Sequence, residues 1–383
     1  MLAPFPTTPR FVVAIPARNE VARLEACLRA LDNQRGAACD HVVLLLNNCT
    51  DDSAALVERL RPRLGFDLTL ECRDFPSCEA NAGHARSRAM TLAAAIAGPA
   101  GIIATSDADG VVDPDWVAGN GAAFALGAEA VCGRAIIDPL EALQVAPALH
   151  ADDAREVAYA GLLDEIHGRV DPDLADPLPR HCEHSGASIA VTVAAWDRAG
   201  GMAPLPTGED RGFLQALRRV DARIRHAPDV RVTVSGRLEG RAAGGMAETM
   251  ARRMIRQDPF LDEALEPALL CLRRAELRAR ARASWTRRHH LSAAWQEPVR
   301  GLARAAALDE SVLLDWLRSA YFGEAWAAIE AASPLLARVA VPRRSLAREE
   351  AAARQILARF TAMPVHDADD RAGRTVGAAA HLA

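Results

Sequence analysis

Read for hydrophobic and polar positions alone, the chain falls into two regimes. In the first, short unbroken apolar runs alternate with segments whose apolar residues recur at helical spacing. FVVAIP (Phe11 to Pro16), HVVLLLN (His41 to Asn47), Leu68 to Cys72, Gly101 to Ser106 and Ala130 to Ile136 read as strands. Between them, Leu24, Cys27, Leu28 and Leu31 share one helical face, and Asp51-Asp52-Ser53 starts a helix that ends near Arg61-Pro62. Asn81 to Ala97 is an alanine-rich helix stopped by Gly98-Pro99, and Asp113-Pro114 opens another, with proline suited to a first turn. Strands apolar on both faces must be covered on both faces, which predicts an α/β fold with a mostly parallel sheet flanked by helices.

The alternation fades after Ile136. Leu140 to Arg180 reads as helical and then proline-rich; Gly186 to Val193, a helix opening near Thr207-Gly208-Glu209-Asp210, and VRVTVSGR (Val230 to Arg237) return to α/β character. Beyond about Met246 the pattern is helical to about Ala362, and residues 363–383 are polar and glycine-containing, as in disordered termini. The expected organisation is an α/β unit over 1–245, with halves of about 11–136 and 137–245, a helical region over 246–362 and a disordered tail.

Composition narrows the chemistry. All 45 basic residues are arginine, because the chain has no lysine. That excludes a P-loop nucleotide site, with its G-K-[ST], and a Schiff-base pyridoxal enzyme. A net charge of -5 gives no overall basic footprint for nucleic acid. The eight cysteines form no C-x-x-C pair and read as reduced thiols, so a cytoplasmic location is expected. The apolar run near the N-terminus breaks at Arg18, too early for a signal peptide. No uninterrupted apolar stretch is long enough for a membrane span.

In parallel sheets ligands bind beyond the carboxyl ends of the strands. The polar clusters PARNE, NNCTDDS and SDAD each stand at such an end. Asp107-Ala108-Asp109 is the most informative. A D-x-D pair arises about once by chance in a chain of this size, and Asp113/Asp115 and Asp171/Asp173 are further examples. Only Asp107 and Asp109 follow an apolar strand, where two like charges repel unless a cation sits with them. Hard divalent cations take carboxylate oxygens together with substrate phosphates, so Mn²⁺ or Mg²⁺ is the expected cofactor. The bland alternative is a solvated turn with capping aspartates. Strand-D-x-D-G is also the nucleophile motif of haloacid-dehalogenase-type phosphatases, but those place it on the first strand and use a lysine.

VVAIPARNE, NNCTDDS, TSDADG and a later GG…TGED together resemble the family 2 inverting nucleotide-sugar glycosyltransferases of GT-A fold, over about Phe11 to Arg241. The helical C-terminal third is not covered. The resemblance implies a Rossmann-like GT-A fold and transfer of a sugar from a nucleoside diphosphate to an acceptor hydroxyl. It places Pro16, Ala17, Arg18 and Glu20 at the nucleotide. Asn47 and Asn48 stand where the family usually carries aspartates, and an amide both donates and accepts, which leaves the base open. Asn81 to Arg86 is similar to the helix start preceding the D-x-D strand and makes Arg86 a contact for base or phosphate. Asp107 is implied at ribose or metal, and Asp109 at the metal. Within Thr207-Gly208-Glu209-Asp210, Asp210 is implied as catalytic base and Glu209 as its orienting partner or an acceptor contact; a capping pair is the structural alternative. His184 to Ser188 falls at a donor-sugar and acceptor loop. A late histidine completes the metal shell in some related enzymes, which nominates His226, although a lone histidine is more often structural.

SGRLEGRAAGG, with Arg237 and Arg241, reads either as a loop closing over the diphosphate or as a linker. The arginine-rich stretch from Arg252 to His290 is interleaved with Asp262, Glu263, Glu266 and Glu276. That reads as a solvated face, with a peripheral contact to anionic lipid as the second reading. The acceptor is a small molecule, a glycan or a lipid-linked species. Two other classes stay open: a nucleotidyltransferase, which releases pyrophosphate, and a non-catalytic nucleotide-sugar-binding protein.

Overall fold

The structure, a computed structural model, describes residues 9–237, 240, 246–256, 258–289 and 293–362. The expected tail, 363–383, and Arg241 lie outside the described residues. The chain runs β1 (Phe11–Ala17), α1 (Leu24–Asp32), β2 (His41–Asn47), α2 (Ser53–Leu60), β3 (Asp67–Arg73), α3 (Ala82–Ala97), β4 (Ile102–Thr105), β5 (Val111–Val112), α4 (Trp116–Ala125), β6 (Ala130–Ile137), α5 (Pro139–Ala142) and α6 (Pro147–Val170). It continues with β7 (Ile189–Thr192), α7 (Val193–Arg198), α8 (Glu209–Arg219), β8 (Ile224–Val234), α9 (Met246–Ile255), α10 (Ala268–Thr286), α11 (Ala293–Ala306), α12 (Glu310–Trp316), α13 (Phe322–Ala332) and α14 (Leu346–Ala362).

The strands form one sheet in the order β3-β2-β1-β4-β7-β6-β8-β5. Pairing is parallel from β3 through β4 and again between β6 and β8. β7 runs antiparallel to both neighbours, and β5 runs antiparallel to β8. Alternate residues of β1 feed two cores, as the two-residue period of a strand requires. Phe11, Val13 and Ile15 pack with Leu24, Leu28 and Leu31 of α1, Leu56 and Val57 of α2 and Trp116 of α4. Val12 and Ala14 pack with Ala85, Ala89, Met90 and Ala93 of α3, Trp196 of α7 and Phe213, Leu214 and Leu217 of α8. The small side chains of α3 let that helix lie close to the sheet. Asn81 caps it by accepting from the His84 amide at 3.0 Å, and Gly98, at φ 73°, ends it.

One expected boundary moves. Pro114 does not start a helix: Trp116 N donates to the Asp113 carbonyl in a turn, and α4 begins at Trp116. The helical region also reaches back across residue 246. Tyr159, Leu163 and Ile166 of α6 share a core with Leu265, Ala268 and Cys271 around the start of α10 and with Ala353 and Ile356 of α14. A second helical core joins α10 to α13. Helix α13 is seated directly on α8. The Asp221 carboxylate accepts from the amides of Phe322 (2.6 Å) and Gly323 (2.7 Å), and a Cβ on Gly323 would fall 1.8 Å from the Arg218 carbonyl oxygen. No described helix is long and apolar enough to cross a membrane.

Arg273 and Arg280 of α10 are exposed, whereas three other arginines of this helix turn inward. Arg274 is buried and pairs with Glu266 and Glu330. Arg278 and Arg282 grip Asp171 at the end of α6, with the Arg282 guanidinium 4.3 Å from the centre of the Phe322 ring. These three tie the helices to each other instead of offering a basic surface to lipid.

Candidate active site

Three parallel strand ends, those of β1, β2 and β4, open on one rim. β1 delivers Pro16 and Ala17, followed by exposed Arg18, whose Nη1 donates to the Ala80 carbonyl at 3.0 Å, and then by buried Glu20. β2 delivers Asn47 and Asn48. Asn48 holds a left-handed φ of 49°, a conformation that asparagine tolerates better than most residues. Both ends of its side-chain amide are engaged by one residue: Nδ2 donates to the Phe75 carbonyl (2.9 Å) and Oδ1 accepts from the Phe75 amide (3.1 Å). Asn48 therefore shapes the rim. Asp51 accepts from the amides of Val21 and Ser53. Burial pushes its carboxyl up, but these hydrogen bonds outweigh burial and hold it below the usual range.

β4 delivers Asp107 and Asp109. Burial first, and then the charge of Asp107, push the Asp109 carboxyl up to about 6, against the pull of Arg237. Arg237 leaves the end of β8 and spans two acids. It pairs bidentately with Glu20, Nη1 at 2.8 Å and Nη2 at 2.5 Å, and its Nη2 lies 3.1 Å from Asp109 Oδ2. Glu141 of α5 fixes this exit by accepting from Ser235 Oγ (2.8 Å) and the Gly236 amide (2.7 Å) while pairing with Arg23 (2.7 Å). Residue 236 has to be glycine, since a Cβ would fall 2.7 Å from Ile137 Cγ2. Beneath the acids, the Cys27 thiol is pushed far up, by burial first and then by Asp109, Asp107 and Glu20.

The acceptor-side pair stands at the start of α8, after Gly208 at φ 70°. Both acids sit where the helix dipole favours negative charge. They face different surroundings. Glu209 is buried and bonds to Arg86 Nε at 3.0 Å. Asp210 is half-buried; its Oδ2 accepts from the Gly186 amide (3.1 Å) and its Oδ1 from the Arg211 amide (2.7 Å). Among the described residues no basic side chain pairs with Asp210.

Arg86 and His226 are held by protein partners. Arg86 does not point out toward a base or phosphate. Its side chain is buried, with Nη2 on Asp107 (2.6 Å), Nη1 on Thr105 Oγ1 (2.7 Å) and on the Gly186 carbonyl (2.8 Å), and Nε on Glu209. His226 does not join the paired acids. Asp176 takes its Nδ1 at 2.6 Å and its backbone amide at 2.9 Å, and the rings of His181 and His184 stand 5.6 and 5.3 Å away. Its Nε2 is buried without a partner among the described residues.

The donors suit a hard divalent cation. Arg86 is shared between Asp107 and Glu209, and Arg237 between Glu20 and Asp109, so Asp107 and Asp109 each share an arginine with a second acid. Among the described residues, the three acid, histidine or cysteine donors that come within 4.8 Å of one another are His167, Glu266 and Cys271, in the helical region. That set is an ion-pair core: Arg274 holds Glu266 through Nε and Nη2, and burial keeps the Cys271 thiol protonated. Asp107 and Asp109 instead offer a sparse carboxylate pair, the kind of site a cation completes with water and substrate phosphate.

Residues 12–165 match the family model described as glycosyl transferase family 2. That segment is similar to a family 2 glycosyltransferase domain. No curated protein matches the sequence. Among solved structures, the chain's α/β and helical regions are similar to a 1–349 fragment of S. aureus TarS in complex with UDP-GlcNAc, at 15% identity over 84% of this chain and 91% of that one, TM-score 0.45. They are similar to the mannosyltransferase PcManGT from Pyrobaculum calidifontis in complex with GDP-Man and Mn²⁺, at 17% identity over 93% and 84%, TM-score 0.41. Glucosyl-3-phosphoglycerate synthase from Mycobacterium tuberculosis, in complex with Mn²⁺, UDP and glucosyl-3-phosphoglycerate, matches at 18% identity over 64% and 77%, TM-score 0.37.

The sequence places Thr105 and Gly186 near the site without showing their partner Arg86, and carries no signal for Asp176 or Glu141. Each acts across the chain: Gly186 reaches Arg86 over 100 residues and Asp176 reaches His226 over 50.

Proposed function

We propose that the protein transfers a sugar from a nucleoside-diphosphate sugar to an acceptor hydroxyl, with inversion at the anomeric carbon and with a divalent cation, Mn²⁺ or Mg²⁺. The observation that carries this reading is the neighbouring carboxylates Asp107 and Asp109 at the end of β4, with Arg86 and Gly186 linking Asp107 to Asp210, which has no basic side-chain partner among the described residues. Asp109, with Asp107, would hold the cation, which neutralises charge on the departing diphosphate. Pro16, Ala17, Arg18 and Glu20 line the end of β1, where the nucleoside would lie, and Asn48 shapes the adjoining wall. Asp210 accepts the proton of the attacking hydroxyl as its oxygen bonds to the anomeric carbon and the sugar–diphosphate bond breaks. Two backbone amides hold Asp210 in place, and no basic side chain pairs with it among the described residues. Arg237, resting on Glu20 and Asp109, stands where a guanidinium can turn to the diphosphate as it arrives.

The test is a donor panel. UDP-, GDP- and other nucleotide sugars are incubated with the protein, with and without Mn²⁺, and the released nucleotide is identified. Release of a nucleoside diphosphate from one donor, only with the metal, is the expected result. Release of pyrophosphate from a nucleoside triphosphate and a sugar phosphate would assign a nucleotidyltransferase instead. Binding without turnover on any acceptor class would assign a sensor.

A further inference from the structure

We infer that Arg86 is a positioning residue that fixes the metal-side acid and the acceptor-side helix in one frame, and that it does not read the nucleotide. The inference rests on the reading of Asp107, Asp109 and Asp210 given above and names what holds them in register.

A guanidinium has five N–H donors in a rigid planar fork. Four contacts here run from Arg86 to three separate segments: Thr105 and Asp107 at the end of β4, the Gly186 carbonyl before β7, and Glu209 at the start of α8. Little of the fork is left for a ligand, and the side chain is only 7% exposed. Burial alone would weaken its charge, and the two carboxylates more than restore it.

Gly186 is the other half of the strut. A Cβ there would fall 2.8 Å from Arg86 Cζ, 2.9 Å from Nε and 3.0 Å from Nη2, so the guanidinium lies against the glycine Cα. The peptide groups around this residue face both ways. Its carbonyl accepts from Arg86 at 2.8 Å, and its amide donates to Asp210 at 3.1 Å. A shift of Arg86 therefore moves Asp107 on one side and the anchor of Asp210 on the other. A residue whose only task was to contact the base would need neither the glycine platform nor the bond to Glu209.

The two roles separate by experiment. Mn²⁺ binding is measured by calorimetry without any nucleotide, and then UDP and GDP binding in saturating Mn²⁺, for the native protein, Arg86→Lys and Gly186→Ala. Arg86→Lys keeps the charge and loses the fork. Gly186→Ala keeps every charged group; residue 186 has no left-handed φ, so the added methyl acts through its contact with the guanidinium. Groups that orient metal ligands typically cost about 10- to 100-fold in metal affinity when changed. The expected result is a fall of about tenfold or more in affinity for Mn²⁺ alone in both variants, with kcat reduced more than acceptor KM is raised. Unchanged Mn²⁺ affinity together with weakened UDP or GDP binding would make Arg86 a nucleotide contact and overturn the inference. If the native protein binds Mn²⁺ no better than Asp109→Ala does, the metal reading itself fails and the inference falls with it. If Arg86→Lys does not fold, Gly186→Ala decides alone.

Discussion

Asp210→Asn is expected to bind donor and metal as the native protein does and to lose transfer by about 10²- to 10⁴-fold, the usual contribution of a general base. Asparagine keeps the shape of the side chain and a carbonyl oxygen for one of the two amides that hold it, Gly186 and Arg211. What it loses is the ability to take a proton. The paired variant Glu209→Gln separates the two acids. Glu209 is buried and bonded to Arg86 Nε, so it has no free position from which to reach an acceptor. It is expected to lower kcat through misplacement of α8 and Arg86, less severely than Asp210→Asn. Single-turnover kinetics with calorimetric donor affinities check both. Transfer surviving in Asp210→Asn at near-native rate would remove Asp210 from the role of base.

Asp109→Ala is the second large effect, and its sign on stability is opposite to its sign on activity. Loss of a metal that supplies several kcal/mol of charge stabilisation is worth about a thousandfold or more in transfer. The fold, in contrast, loses one ion-pair contact here, that of Asp109 Oδ2 with Arg237 at 3.1 Å. Burial and the charge of Asp107 hold the Asp109 carboxyl up near 6, which means the ionised group is under strain in the native state. Removing it relieves that repulsion, while Arg237 keeps its bidentate partner Glu20. The thermal midpoint is expected to stay level or rise as transfer disappears, the usual signature of a residue kept for function at a cost in stability. A variant that loses activity and melts earlier by many degrees would instead make Asp109 a structural residue.

These two acids show what could be read from the chain and what could not. Each strand that carries the site was visible because its apolar run is unbroken: Val12 to Ile15, Val42 to Leu46 and Ile102 to Ala104 are all buried. The position of Asp107 and Asp109 at a strand end followed from that pattern. β5, two residues long, has no period to detect and appears only through its pairing with β8. Proline suits a first turn, so the pattern predicts a helix from Pro114, but the Asp113–Trp116 turn delays the helix to Trp116. The helical region looked separable at residue 246 because composition changes there; yet α6, far upstream, supplies part of its core.

The roles of single side chains were harder to see, because they depend on partners distant in sequence. Arg86 had the right position for a nucleotide contact, and only the arrival of Glu209, 123 residues on, turns it inward. His226 offered a ring of the right kind for a metal, and Asp176 claims it first. Arg237 could be placed on a loop near the diphosphate, but its bond to Glu20 spans 217 residues and has no local trace. The two arginine bridges of the folded site, Arg86 to Asp107 and Glu209 and Arg237 to Glu20 and Asp109, exist only once those segments meet.

The central claim is a divalent cation bound by Asp109 and bridging to the donor diphosphate. Crystals grown with Mn²⁺ and the nucleoside diphosphate selected by the donor panel, measured at the manganese absorption edge, test it most directly. The account expects one anomalous peak about 2 Å from a carboxylate oxygen of Asp109 and in contact with the diphosphate. Diphosphate bound with no anomalous peak beside Asp109, or a peak only at His167, Glu266 and Cys271, would contradict it.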